Sequence, residues 1–112
     1  MKRVLFVAGT RPEIIKISPL IDIFKRSKQY KIFFGLTGQH KELANQAFDI
    51  ESPKPVFNLN LQTANQSLPE LTALALVGLN REIENIQPDI IIIQGDTTTT
   101  LACALAAYYQ QI

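Results

Sequence analysis

The stretch Ile90–Thr100, IIIIQGDTTTT, constrains the fold of this chain more than any other. Four consecutive isoleucines show no polar–apolar alternation, the pattern of a strand covered on both faces, as in a parallel sheet. The run stops at Gln94-Gly95-Asp96, and four threonines lead into the small-residue helix Leu101–Tyr109. A buried strand therefore enters a tight turn that opens a helix. In open α/β sheets, ligands sit at that carboxyl end of the strands. Asp96 puts a carboxylate in the turn, with a row of hydroxyls behind it.

The rest of the chain repeats the same alternation. Arg3–Ala8 is apolar and reads as a central strand, ended by Gly9-Thr10-Arg11-Pro12-Glu13. Thr10 followed three residues later by Glu13 is a capping box, and Pro12 is tolerated in a first helical turn. Ile14, Ile17, Ile21 and Phe24 recur at helical spacing, with Pro19 inside the pattern. Pro19 removes an N–H bond to Ile15, which predicts a kink or break near Ser18 and a helix end around Ser27–Gln29. Tyr30–Leu36 is a second strand, and Thr37-Gly38-Gln39-His40 turns it into a helix over Lys41–Phe48. Ile50–Gln66 holds Pro53, Pro55 and several amides and reads as irregular, with a short strand near Val56–Leu59. Ser67-Leu68-Pro69-Glu70 is a second capping box; Leu71, Leu74, Ala75, Gly78, Ile83 and Ile86 mark the buried face of its helix. After Pro88 come the strand Asp89–Ile93 and a last helix, Thr97–Gln111.

Strand–helix repetition implies parallel strands joined by right-handed crossovers. The turns Gly9–Glu13, Thr37–His40 and Gln94–Thr98 must then share one edge of the sheet. That edge collects Thr10, Arg11, Gln39, His40, Asp96 and several threonines. Three main parallel strands leave an exposed hydrophobic edge of a kind that native proteins cover, so the 112 residues read as the first part of a longer protein.

Composition narrows the function classes. A net charge of +1 gives no strong pull toward nucleic acid or anionic membrane. The apolar run after Lys2-Arg3 is too short for a signal-peptide core, and nothing approaches a membrane span, which leaves the cytoplasm as the default compartment. The one cysteine, Cys103, cannot build an internal disulfide and sits in ACALAA as a small packing residue. His40 is the one histidine, so neither Cys nor a second His can complete a zinc site within the chain.

Each candidate residue carries two readings. Arg11 and Lys16 flank a helix N-terminus, where free N–H groups and the positive dipole end suit a phosphate or an anionic sugar nucleotide; both also fit ordinary solvated positions. Glu13 reads as a capping partner, able to orient Arg11, ahead of an acid or base. His40 is a cap or surface group that the ligand edge turns into a binding candidate. Asp96 is either an N-terminal helix cap or an ionised carboxylate serving as acid, base or substrate anchor. Thr97–Thr100 divide between cap chemistry and hydroxyl donation. Neither G-x-G-x-x-G nor G-x-x-x-x-G-K-[ST] occurs, which weakens the commonest dinucleotide and triphosphate readings.

Taken together, Gly9-Thr10-Arg11-Pro12-Glu13 with Ile15-Lys16, Thr37-Gly38-Gln39-His40, and Gly95-Asp96-Thr97-Thr98-Thr99 resemble the non-hydrolysing UDP-N-acetylglucosamine 2-epimerases. The resemblance runs in order from Lys2 to Ile112. It implies an α/β chain with a Rossmann-like parallel sheet and helices on both faces, forming most of the N-terminal domain of a glycosyltransferase-B-type two-domain fold. The C-terminal domain would lie outside residues 1–112.

The implied activity interconverts UDP-N-acetylglucosamine and UDP-N-acetylmannosamine by C2 deprotonation with loss of UDP, followed by re-addition, without a metal or redox cofactor. The implied protein is a homodimer at full length, works without nucleic acid or membrane, and feeds cell-surface polysaccharide biosynthesis. By the same resemblance Arg11, Lys16 and Glu13 contact the sugar nucleotide and Asp96 is a catalytic carboxylate. Gln39, His40 and Gln66 belong to an allosteric substrate site. Glu42 stands where many members have Gln, Asn65 where many have Arg, and Gln94 where many have His; losing that Arg removes a bidentate phosphate partner. Two other readings compete: a catalytically incompetent fragment or UDP-binding module, and a glycosyltransferase of the same fold.

Overall fold

The computed structural model describes residues 1–38, 54–61 and 66–112. In chain order these form β1 (Lys2–Ala8), α1 (Arg11–Arg26), β2 (Tyr30–Leu36), β3 (Phe57–Asn58), α2 (Leu68–Ile86), β4 (Ile90–Ile93) and α3 (Thr98–Tyr109). The strands make one sheet in the order β3-β2-β1-β4, with every neighbouring pair parallel. The short strand expected near Val56–Leu59 is therefore a fourth member of the sheet. The helix expected over Lys41–Phe48 lies outside the described residues, as do Gln39, His40, Glu42 and Asn65.

β1 explains why the sheet has two dry faces. Val4, Phe6 and Ala8 point to one side and pack with Ile14, Ile17 and Ile21 of α1 and with Phe34 and Leu36 of β2. Leu5 and Val7 point to the other, where they meet Leu71, Ala75, Leu79, Ile83 and Ile86 of α2 and Ala102, Cys103 and Ala106 of α3. Side chains alternate across a strand, so a strand sandwiched between helices is apolar at every position. The four isoleucines follow this rule, with Ile91 and Ile93 against the α2–α3 side and Ile92 against the α1 side. Full burial of this run does not hold. β4 is the edge of the sheet among the described residues, which leaves Ile90 41% exposed and Ile91–Ile93 half-buried. At the foot of the sheet the Arg3 N–H donates to Asp89 Oδ2 and the Asp89 N–H to the Arg3 carbonyl, both at 2.8 Å, fixing the register of β4.

Two other expectations are corrected. Of the kink or break expected near Ser18, the break does not occur: α1 runs unbroken over Arg11–Arg26. Pro19 lies on the exposed face beside Ile15, so water can satisfy the carbonyl it leaves unpaired; the buried Ser18 hydroxyl donates to the Ile14 carbonyl at 2.6 Å. On α2, Leu74 is half exposed, whereas Leu79 is fully buried. The inward stripe is Leu71, Ala75, Leu79 and Ile83, a strict four-residue spacing. The Ser67 hydroxyl accepts from the Glu70 N–H at 3.2 Å and donates to its carboxylate at 2.8 Å, forming the expected cap.

Leu79→Ala should destabilise the domain by about 2–5 kcal/mol in denaturant unfolding, because the buried side chain leaves a cavity between helix and sheet. Cys103 is fully buried, and desolvation pushes its thiol up to about 12. Only the thiolate reacts, so at pH 8 iodoacetamide should label Cys103 slower than a free thiol by on the order of a thousandfold. Unfolding with urea should restore ordinary labelling, as read by mass spectrometry.

Candidate functional site

Parallel pairing brings the carboxyl ends of the strands to one level. Ala8 pairs with Leu36, and Val7 pairs with Ile93. Three turns leave from there: residues 9–11 into α1, residues 37–38 after β2, and residues 94–97 into α3. Topology also puts the N-terminus of α2, with the half-buried Gln66 just ahead of it, at this edge.

Hydroxyls stitch the turns together. Thr37 Oγ1 and Thr99 Oγ1 lie 2.8 Å apart in a fully enclosed hydrogen bond that joins the end of β2 to the first turn of α3. The pair sits directly against Gly9, where an added Cβ would lie 2.2 Å from Thr99 Oγ1 and 2.7 Å from Thr37 Oγ1. Glycine at position 9 is thus a matter of space. The Thr37 N–H also donates to the Ala8 carbonyl at 3.0 Å, and the Leu61 N–H to the Thr37 carbonyl at 2.9 Å.

Glu13 is the centre of the edge. It stands in the first turn of α1, only 3% exposed. Its Oε1 accepts from the N–H groups of Gly9 (2.7 Å) and Thr10 (2.9 Å), the expected capping-box contact extended by one residue. Its Oε2 accepts from the Thr97 hydroxyl and, at 3.3 Å, from the Thr100 hydroxyl. Thr100 Oγ1 also lies 3.1 Å from the Gln94 carbonyl. Gly95 has φ +112°, a left-handed conformation suited to glycine, and an added Cβ there would come 3.0 Å from Glu13 Oε2.

Asp96 does not cap α3. The N-cap is Thr97, whose side chain makes no cap hydrogen bond and turns to Glu13 instead. Asp96 is exposed and has no hydrogen-bond or ion-pair partner among the described residues. Arg11 and Lys16 are also exposed on α1, Arg11 as its first residue and Lys16 one turn beyond Pro12. The edge therefore presents a carboxylate and two cations to solvent above a buried network of hydroxyls, an arrangement that suits an anionic, hydroxyl-rich ligand. Among the described residues no three His, Cys, Asp or Glu side chains gather as a metal site would require. None of their helices is long and apolar enough to cross a membrane.

Sequence reasoning did not isolate the Thr37–Thr99 pair, the space needed at Gly9, or the reach of Glu13 to α3. The available signal was local: a small residue and a hydroxyl at successive strand ends, and a run of threonines where one cap would do.

The family model described as UDP-N-acetylglucosamine 2-epimerase matches residues 23–112. A UDP-N-acetylglucosamine 2-epimerase of Bacillus subtilis is 43% identical over 110 residues, which cover 98% of this chain and 29% of the relative. One from Salmonella borreze is 42% identical over 112 residues, covering 100% of this chain and 30% of the relative. The crystal structure of UDP-GlcNAc 2-epimerase from Neisseria meningitidis bound to UDP-GlcNAc superimposes with a TM-score of 0.91 at 39% identity, over 98% of this chain and 30% of that one. The chain thus spans under a third of the length of these relatives and matches their N-terminal part. By sequence along nearly its whole length and by fold, this chain belongs to the UDP-N-acetylglucosamine 2-epimerase family.

Proposed function

We propose that the strand-end edge is one wall of a sugar-nucleotide site that interconverts UDP-N-acetylglucosamine and UDP-N-acetylmannosamine. The observation that carries this reading is Asp96, an exposed and unpartnered carboxylate at the ligand edge of a chain of this family. A base takes the C2 proton while the C1–O bond to UDP breaks and its electron pair leaves on the phosphate oxygen. A C1–C2 double bond remains. UDP then adds back to C1 and a proton is delivered to the opposite face of C2. The cycle is redox-neutral and needs no oxidant, and it calls for carboxylates near C2 and cations near the departing phosphate.

Asp96 serves at the sugar in this scheme. Arg11 and Lys16 stabilise the charge that grows on UDP. Further carboxylates and a histidine lie past Ile112, and a C-terminal domain supplies the second wall, in keeping with relatives more than three times as long. A homodimer fits the apolar side chains left exposed on α2 and α3, among them Val77, Leu101 and Tyr108. Gln39, His40 and Gln66 are the candidates for a separate regulatory nucleotide-sugar site. The reading implies a cytoplasmic enzyme whose product supplies cell-surface polysaccharide.

Incubated with UDP-N-acetylglucosamine in deuterated buffer, the protein at the length its gene encodes should place deuterium at sugar C2 and yield UDP-N-acetylmannosamine by NMR. Absence of both from folded protein that binds the substrate would leave a UDP-binding module or a glycosyltransferase. Asp96→Asn should lower kcat by about a hundredfold or more and leave KM within about threefold, as expected when a proton-transfer group is lost and binding contacts remain. Wild-type turnover in that variant would reduce Asp96 to a turn residue.

A further inference from the structure

We propose that Glu13 is a positioning residue that holds the Asp96 turn in register with the Arg11 turn, and that it makes no contact with substrate. The kinetic part of this proposal rests on the function given above; the structural part does not. A carboxylate only accepts hydrogen bonds, and its two oxygens offer about four lone-pair directions. At Glu13 protein donors serve both oxygens: two backbone N–H groups on Oε1 and the Thr97 hydroxyl on Oε2, with the single Thr100 proton shared between Oε2 at 3.3 Å and the Gln94 carbonyl at 3.1 Å. With 3% exposure it is closed off from a ligand.

A cap for α1 requires only the Oε1 half of this arrangement. The Oε2 half reaches residues 84 and 87 positions away in sequence and serves α3. That oxygen lies beside both chain neighbours of Asp96: a Cβ added at Gly95 would come 3.0 Å from it, and the Thr97 hydroxyl donates to it. Thr97 gives up the usual capping bond of its own helix for this purpose. The N-terminal dipoles of α1 and α3 both favour negative charge where Glu13 sits. One buried carboxylate thereby fixes the backbone on either side of an exposed one. Misplacing a reacting group by about 1 Å can cost on the order of a hundredfold in rate.

Glu13→Gln separates the two halves. Its amide oxygen can keep the Gly9 and Thr10 N–H bonds, while the amide nitrogen, a donor, replaces the acceptor that Thr97 and Thr100 use. In the protein at its gene-encoded length, E13Q should lower kcat by about 10- to 100-fold with KM within about threefold. Amide hydrogen exchange should accelerate across residues 94–100 and stay unchanged across the first turn of α1. Thr97→Val should lower kcat in the same way, and the double variant should fall no further than E13Q, because both changes break one link. Should E13Q fail to fold, T97V alone carries both readouts. A raised KM with kcat retained would make Glu13 a substrate contact and overturn the proposal. Unchanged kinetics, or faster exchange confined to residues 9–13, would reduce it to a cap. If the wild-type protein shows no C2 exchange, the function above fails, and amide exchange over residues 94–100 still decides whether the link exists.

Discussion

The parallel pairing of β1 with β2 on one side and β4 on the other is the constraint on which the rest depends. Parallel strands cannot be joined by a tight hairpin, so a connection must cross a face of the sheet, as α1 does between β1 and β2 and α2 does between β3 and β4. The strands then deliver their carboxyl ends, and α1, α2 and α3 their N-termini, to the same edge. β1 lies between its two partners and is buried on both faces, with residues 4–8 at 1% exposure or less. Its last residues therefore place Gly9 and Thr10 amid the other turns, where hydroxyls from β2 and α3 can reach them.

What joins those turns is polar and paired, and it is enclosed at Glu13, Thr37 and Thr99. A buried hydroxyl or carboxylate without a partner costs several kcal/mol, whereas a paired one contributes modestly and specifies geometry. The Thr37–Thr99 bond and the donors from Gly9, Thr10 and Thr97 on Glu13 meet that condition. Nucleotide-binding α/β folds that use glycine-rich loops bring phosphate to bare backbone. Here glycine at position 9 makes room for side-chain hydroxyls, and the turns are tied to one another.

The elements were legible because their signals are local. Periodicity placed β1, β2, α1, α2 and β4, and capping residues placed the starts of α1 and α2. The errors share one cause, the influence of residues distant in sequence. Four isoleucines cannot reveal that their strand is an edge. Pro19 cannot reveal that Ile15, whose carbonyl it leaves without an N–H partner, lies on the exposed face of α1. Asp96 was a plausible cap by residue type, but Thr97 takes that position and spends its hydroxyl on Glu13, 84 residues earlier. Leu74 and Leu79 are equally apolar, and only the pitch of α2 against the sheet separates them. The ligand edge followed from topology alone, whereas the bonds that organise it did not.

Asp96 combines an exposed side chain with a backbone held on both sides, and this pairing has an electrostatic consequence. A carboxylate facing water interacts with a charge 4 Å away by only about 1 kcal/mol, against about 4 kcal/mol where the surroundings are partly dry. An open wall carrying Asp96, Arg11 and Lys16 can therefore attract an anionic sugar without strongly stabilising charge that develops during reaction. The gain would come with the second wall proposed above, if it closes over the edge and excludes water. At that moment the position of the carboxylate must already be set, since reorganising it would cost what closure provides. A buried bracket beneath an exposed carboxylate would meet this requirement: the fold prepares the geometry, and the proposed second wall would supply the low dielectric.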